Sequence, residues 1–129
     1  MPRILVVEDS FSMRSFVRNT LEESLEGEIE VVEAASGFDA LRLLPRGRYD
    51  LVITDVNMPD INGLELVRFI RKSEQHRDVP ILLISTQASR RDRERGLGLG
   101  ANGFLSKPFT PETLTHAALS LTSQGSIDG

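Results

Sequence analysis

Five short apolar runs punctuate the chain, at Ile4–Val7, Ile29–Val32, Leu51–Ile53, Ile81–Ile84 and Phe104–Leu105. Most are rich in Val, Ile and Leu with little alternation, as in strands covered on both faces. Helical patterns lie between them. Met13, Phe16, Val17 and Leu21 mark a first helix, and Ala40, Leu41 and Leu44 a short second one. Leu66, Val67 and Ile70 mark the third, and Leu114, Ala118 and Leu121 the buried stripe of the fifth. Strand and helix in strict alternation predict an α/β fold of the (βα)5 kind, doubly wound, with right-handed crossovers placing helices on both faces. The 129 residues fit one such domain.

Local punctuation agrees. Ser36 and Asp39 stand as a capping-box variant before the second helix, and Pro45 ends it. Ser89 and Asp92 could cap the fourth helix in the same way, and Thr110-Pro111 is an N-cap with a first-turn proline for the fifth. The fourth helix is the least regular. Gly96 and Gly98 each cost about 1 kcal/mol relative to alanine in a helix interior, which predicts early fraying, movement or an early end. Residues 1–122 are expected to form the domain and residues 123–129 a polar C-terminal tail, with no output domain after the fifth helix.

Composition narrows the function. Without cysteine there is no thiolate metal site and no cysteine nucleophile. No apolar run approaches the roughly 20 residues of a membrane span, and Met1-Pro2-Arg3 leads directly into a strand, so a soluble cytoplasmic protein is expected, taken here as a monomer. The formal charge of −4 argues against direct nucleic-acid binding. Arg90, Arg91, Arg93 and Arg95 are interleaved with Asp92 and Glu94, either as a solvated helix face or as a docking surface for an acidic partner.

The chemistry-bearing residues sit at strand ends. Glu8 and Asp9 follow the first strand, Arg3–Val7, and Asp55 follows Leu51–Thr54. Ser85 and Thr86 follow Ile81–Ile84, and Lys107 follows Phe104–Ser106. Open α/β sheets bind ligands in the crevice beyond the carboxyl ends of their strands. Two like charges about 4 Å apart repel by roughly 4 kcal/mol at an effective dielectric near 20. Converging carboxylates therefore call for a divalent cation, and all-oxygen ligands suit Mg2+ rather than zinc. A strand-end carboxylate beside such a cation can attack phosphorus and form an acyl phosphate, which marks Asp55. Lys107 could pair with Asp55 or with a phosphoryl oxygen. Ser85 or Thr86 could bond another phosphoryl oxygen, and spacing alone does not separate the two.

Each feature also has a structural reading. Acids favour helix N-termini, aspartates cap loops, and Lys-Pro ends strands. Gly98-Leu99-Gly100-Ala101-Asn102-Gly103 satisfies G-x-G-x-x-G, but a helix precedes it and a strand follows, the reverse of a dinucleotide fingerprint. His76, in a polar loop, and His116, on the fifth helix, have no catalytic partner nearby and are expected at the surface.

Taken together, Val7-Glu8-Asp9-Ser10, Asp55-Val56-Asn57-Met58-Pro59, Pro80 to Ser85 and Lys107-Pro108-Phe109 resemble the receiver domain of bacterial two-component response regulators. Phe11-Ser12-Met13-Arg14 and Gly63-Leu64-Glu65-Leu66 are most like its single-domain, CheY-like members. The resemblance covers Arg3 to about Leu121. It implies the flavodoxin-like strand order 2-1-3-4-5 that such sheets share. It also implies that Asp55 is the phosphoacceptor of a histidine kinase, with Mg2+ held by Glu8, Asp9, Asp55 and the backbone carbonyl of Asn57. Ser85 matches the switch hydroxyl, Lys107 the phosphate-binding lysine with a cis bond to Pro108, and Phe104 the switch aromatic, often a tyrosine. Asn57 and Gln87 match positions that tune dephosphorylation. The downstream protein target would dock on the face of helix four, strand five and helix five, with chemotaxis or motility as a candidate output. Such a domain assists its own phosphorylation and dephosphorylation without being a turnover enzyme.

Three alternatives remain at this level. A haloacid-dehalogenase-type phosphatase also uses a strand-end aspartate, but needs an acid two residues on, where Asn57 stands. A phosphate-independent docking module would not need the acid set. A phosphorelay intermediate or phosphate sink would use the same residues for another output.

Overall fold

The computed structural model describes residues 2–25, 29–86 and 90–125. The elements follow in the order β1 (Arg3–Val7), α1 (Phe11–Ser24), β2 (Glu30–Ala34), α2 (Gly37–Leu43), β3 (Leu51–Asp55), α3 (Gly63–Lys72), β4 (Ile81–Ser85), α4 (Arg90–Leu99), β5 (Gly103–Ser106) and α5 (Pro111–Gly125). The five strands form one parallel sheet in the order β2-β1-β3-β4-β5. The expected (βα)5 topology is therefore present.

Side-chain alternation divides the core into two layers. Leu5, Val7, Val52 and Leu83 face Ala40 of α2 and Leu66, Val67 and Ile70 of α3. Ile4, Val6, Ile53, Leu82 and Ile84 face Val17 and Leu21 of α1 and Leu114, Ala118 and Leu121 of α5. Burial of each large aliphatic side chain contributes about 1.5–3 kcal/mol, so both layers hold the sheet in register. Strand β2 starts one residue later than its apolar run and extends to Ala34. The reason is register: Arg3 pairs with Glu30 and Val7 with Ala34, leaving Ile29 buried ahead of the ladder.

The expected caps of α2 and α5 are present, with changes of detail. Ser36 Oγ accepts from the Asp39 N–H, but Asp39 reaches back to the N–H of Ala35 rather than to that of Ser36. Thr110 and Thr113 cap α5 reciprocally, each side chain accepting from the other's backbone N–H. Pro45 falls in a 3-10 turn, Leu44–Arg46, that follows α2 directly. The continuation of α5 to Gly125 enters the stretch expected as tail, and residues 126–129 lie outside the described residues, as does Ser89.

Two expectations need correction. Helix α4 runs through both glycines. A Cβ on Gly96 would stand 2.5 Å from Leu83 Cδ1, so this glycine lets α4 lie close on β4, and its role is packing rather than fraying. His76 is buried rather than at the surface: its Nε2–H donates to the Leu44 carbonyl at 2.7 Å, and its ring packs near Tyr49. It is a satisfied core histidine linking the loop after α3 to the end of α2.

Candidate functional site at the carboxyl edge of the sheet

The loop after β3 is pressed against the strand it leaves. The Gly63 N–H donates to the Val56 carbonyl at 2.8 Å, and a Cβ on Gly63 would lie 2.3 Å from the Asp55 carbonyl oxygen. Only glycine permits that approach. Asn62 and Glu65 then form a full capping box that starts α3. Asp60 of the same loop accepts from the N–H groups of Gly37 and Phe38, tying the loop to the start of α2. These contacts fix the direction in which the Asp55 side chain leaves the sheet.

Glu8, Asp9 and Asp55 converge, with one carboxylate oxygen from each lying within 4.8 Å of the others. Glu8 and Asp55 are buried, while Asp9 is exposed. Lys107 reaches over the strand ends, its Nζ 2.7 Å from Glu8 Oε1 and 3.5 Å from Asp55 Oδ1. The expected pairing with Asp55 is present, and Glu8 is a closer partner that the sequence did not suggest. The second Glu8 oxygen accepts from the Ser10 N–H at 3.0 Å, and Ser10 Oγ caps α1. The peptide bond between Lys107 and Pro108 is cis.

Burial pushes the Glu8 carboxyl above the ordinary range against the pull of Lys107 and the Ser10 N–H, and nearby Asp55 adds to the rise. Burial likewise raises Asp55. Lys107 and the Asn57 N–H draw it down, and Asp9 pushes it further up. Three hard oxygen donors that repel one another this way fit a divalent cation such as Mg2+, which is typically held by one or two carboxylates plus water and phosphate oxygens.

Ser85 ends β4 fully buried, whereas Thr86 is exposed beyond it. Asn57 Nδ2 stands 3.5 Å from Ser85 Oγ, so the two side chains meet at the rim. Phe104 is half-buried on β5, packed against the core layer that contains Leu83. Gln87 lies outside the described residues. One neighbour of the site had only a place in the stretch Phe11-Ser12-Met13-Arg14 and no role assigned from the sequence. Arg14, on the first turns of α1, donates from Nη1 to the Glu8 carbonyl at 2.7 Å.

A parallel (βα)5 sheet with an acidic triad and a lysine at its carboxyl edge is the arrangement of a signalling receiver domain. The chain belongs to the response regulator receiver domain family, which it matches over residues 4–119. Its relatives include the chemotaxis protein CheY homolog of Campylobacter jejuni, 37% identical over 128 residues that span 98% of this chain and 97% of that protein. Chemotaxis protein CheY4 of Vibrio cholerae superposes with a TM-score of 0.87 at 39% identity, covering 94% of this chain and 98% of that one. The receiver domain of sensor histidine kinase PA1611 from Pseudomonas aeruginosa superposes with a TM-score of 0.84 at 31% identity, over 95% of this chain and 98% of that one. That structure has a magnesium ion coordinated in its active-site cleft. Among the described residues of this chain, no helix is long and apolar enough to cross a membrane.

Proposed function

We propose that this chain is a phosphoaspartate switch of a two-component system, with a receiver unit that extends through α5 to Gly125 and Asp55 as the phosphoacceptor. The observation that carries the reading is the convergence of Glu8, Asp9 and Asp55 within 4.8 Å under the ammonium of Lys107. Mg2+ would be held by Glu8, Asp9, Asp55 and the Asn57 carbonyl, and when bound it screens the charge between the carboxylates and an incoming phosphoryl group. An Asp55 oxygen attacks phosphorus as the N–P bond of a kinase phosphohistidine breaks, and the departing imidazole keeps the electron pair and takes up a proton.

Lys107 then exchanges a carboxylate for a phosphoryl oxygen, and the Ser85 hydroxyl donates to another. Movement of Ser85 opens space for Phe104 to turn inward, altering the face of α4, β5 and α5 where a downstream protein docks. Arg91, Arg93 and Arg95 are exposed on α4 and favour an acidic target. Phe104 has no hydroxyl to offer that target. Asn57 and Gln87 tune the hydrolysis of the acyl phosphate. A shift from 1:99 to 99:1 requires about 5.5 kcal/mol of differential interaction, so target binding shares the work of switching. The chemotaxis proteins among its relatives support chemotaxis or motility as the output, and the reading takes the chain as a cytoplasmic monomer. A phosphorelay intermediate or phosphate sink uses the same chemistry and is separated from this reading by whether capture of a target depends on phosphorylation.

The test is phosphate incorporation from acetyl phosphate with Mg2+. The wild-type chain incorporates one acid-labile phosphate and Asp55→Asn none. Full labelling of that variant ends the assignment.

A further inference from the structure

Beyond the residues already assigned, Glu8 is held at a second point. Its N–H donates to the Ala34 carbonyl of β2 at 3.0 Å, and there the ladder of β1 ends. Its own carbonyl has passed the last paired residue of the sheet, and Arg14 meets it with Nη1 at 2.7 Å. The same guanidinium donates from Nε to Glu33 Oε1 of β2 at 2.9 Å, and its side chain is only 14% exposed. Arg18 also bonds Glu33, so the carboxylate that anchors Arg14 is itself fixed. The planar fork of arginine satisfies a carbonyl and a carboxylate together, which a lysine head cannot do in the same geometry.

The Glu8 carbonyl and the Asp9 N–H belong to one rigid peptide plane. Holding that carbonyl sets the plane, and the plane sets the direction from which the Asp9 side chain enters the acidic cluster. Asp9 is the exposed member of the three, with the least packing of its own to orient it. We infer that Arg14 is a positioning residue for divalent-cation binding, acting through the Glu8–Asp9 peptide rather than by touching the ion. The inference rests on the reading that Glu8, Asp9 and Asp55 hold Mg2+.

Charge and position act in opposite directions here, which makes the inference sharp. A guanidinium beside an acidic cluster repels a dication. Its removal would tighten Mg2+ binding if charge alone mattered, and weakens it if the arginine orients a ligand. The experiment is calorimetric titration of the full chain with MgCl2, for wild type, Arg14→Met, Arg14→Lys and Asp9→Asn. Arg14→Met is expected to raise the dissociation constant about tenfold, the lower end of what losing an outer-sphere contact costs a metal site. Arg14→Lys, with unchanged charge, is expected to weaken binding several-fold and serves if the methionine variant does not fold. In acetyl phosphate reactions both variants require more Mg2+ for half-maximal rate yet reach the wild-type rate at saturation. Unchanged or tighter binding by Arg14→Met, or wild-type affinity in Arg14→Lys, overturns the inference. Failure of the wild type to bind, or an Asp9→Asn variant that binds as well as wild type, instead overturns the underlying metal reading and the inference with it.

Discussion

Lys107 Nζ is hydrogen-bonded to Glu8 Oε1 at 2.7 Å, closer than its 3.5 Å approach to Asp55 Oδ1. The lysine therefore has one firm partner and one loose one. Glu8 keeps it over the site, and Asp55 is the less tightly engaged carboxylate. A phosphoryl group on Asp55 brings three acceptor oxygens into reach of the same ammonium.

Lys107→Met separates these roles. It leaves the buried Glu8 carboxylate without its cation, which destabilises the fold by about 3 kcal/mol near neutral pH. Phosphorylation of Asp55 persists, because attack needs the acid set and Mg2+, but the altered face does not form. Denaturant melts and a target-binding assay with and without beryllofluoride check both parts. A normal phosphorylation-dependent response would remove Lys107 from the switch.

The carboxyl groups predict an unusual pH dependence. Glu8 and Asp55 are both raised in the fold, chiefly by burial, so the folded state holds protons that the unfolded chain releases. Their contribution is fully present below the unfolded carboxylate range near pH 4 and is lost as pH rises through the higher folded values. Without Mg2+, Asp55→Asn should be more stable than wild type at pH 7 by about 1 kcal/mol, or about 3–5 °C in Tm. The gap should close on acidification below about pH 4. Thermal melts in EDTA across pH measure this. A variant less stable than wild type at neutral pH would contradict the electrostatic account.

The two α4 glycines should respond oppositely to alanine. At Gly98 a Cβ meets nothing within 4 Å, so Gly98→Ala gains up to about 1 kcal/mol from helix propensity. At Gly96 it collides with Leu83, so Gly96→Ala loses about 1–3 kcal/mol to overpacking despite the better propensity. Urea denaturation of both variants gives the comparison, and equal effects would refute the packing role of Gly96.

Gly63→Ala should act on the site itself. The added Cβ falls 2.3 Å from the Asp55 carbonyl and 2.9 Å from Val56 Cα, contacts that no rotamer relieves. The end of β3 must then move. Phosphorylation is expected to slow at least tenfold, the size of loss that misplacement by about 1 Å produces. A wild-type rate would mean that the close approach does not set the position of Asp55.

The architecture and the convergence of the strand-end residues were readable because both depend on local pattern. Unalternating Val/Ile/Leu runs specify strands covered on both faces, and parallel strands bring their C-terminal residues to one edge. Glu8, Asp9, Asp55, Ser85 and Lys107 follow from that rule. What was not readable depends on partners distant in the chain. Gly96 looks like a helix breaker until Leu83 is seen beneath it. His76 looks polar and exposed until the Leu44 carbonyl is found above it. The preference of Lys107 for Glu8 and the hold of Arg14 on the Glu8 carbonyl are matters of distance in space, and spacing along the chain carries no trace of them.

The central claim is that Asp55 accepts a phosphoryl group in a step that depends on Mg2+. The most direct measurement is borohydride reduction of the chain after incubation with acetyl phosphate and MgCl2, followed by peptide mass mapping. Borohydride reduces an aspartyl acyl phosphate to homoserine, so the account predicts homoserine at position 55 alone, and none when EDTA replaces MgCl2. Homoserine at another aspartate, or equal conversion of Asp55 without the metal, would contradict it.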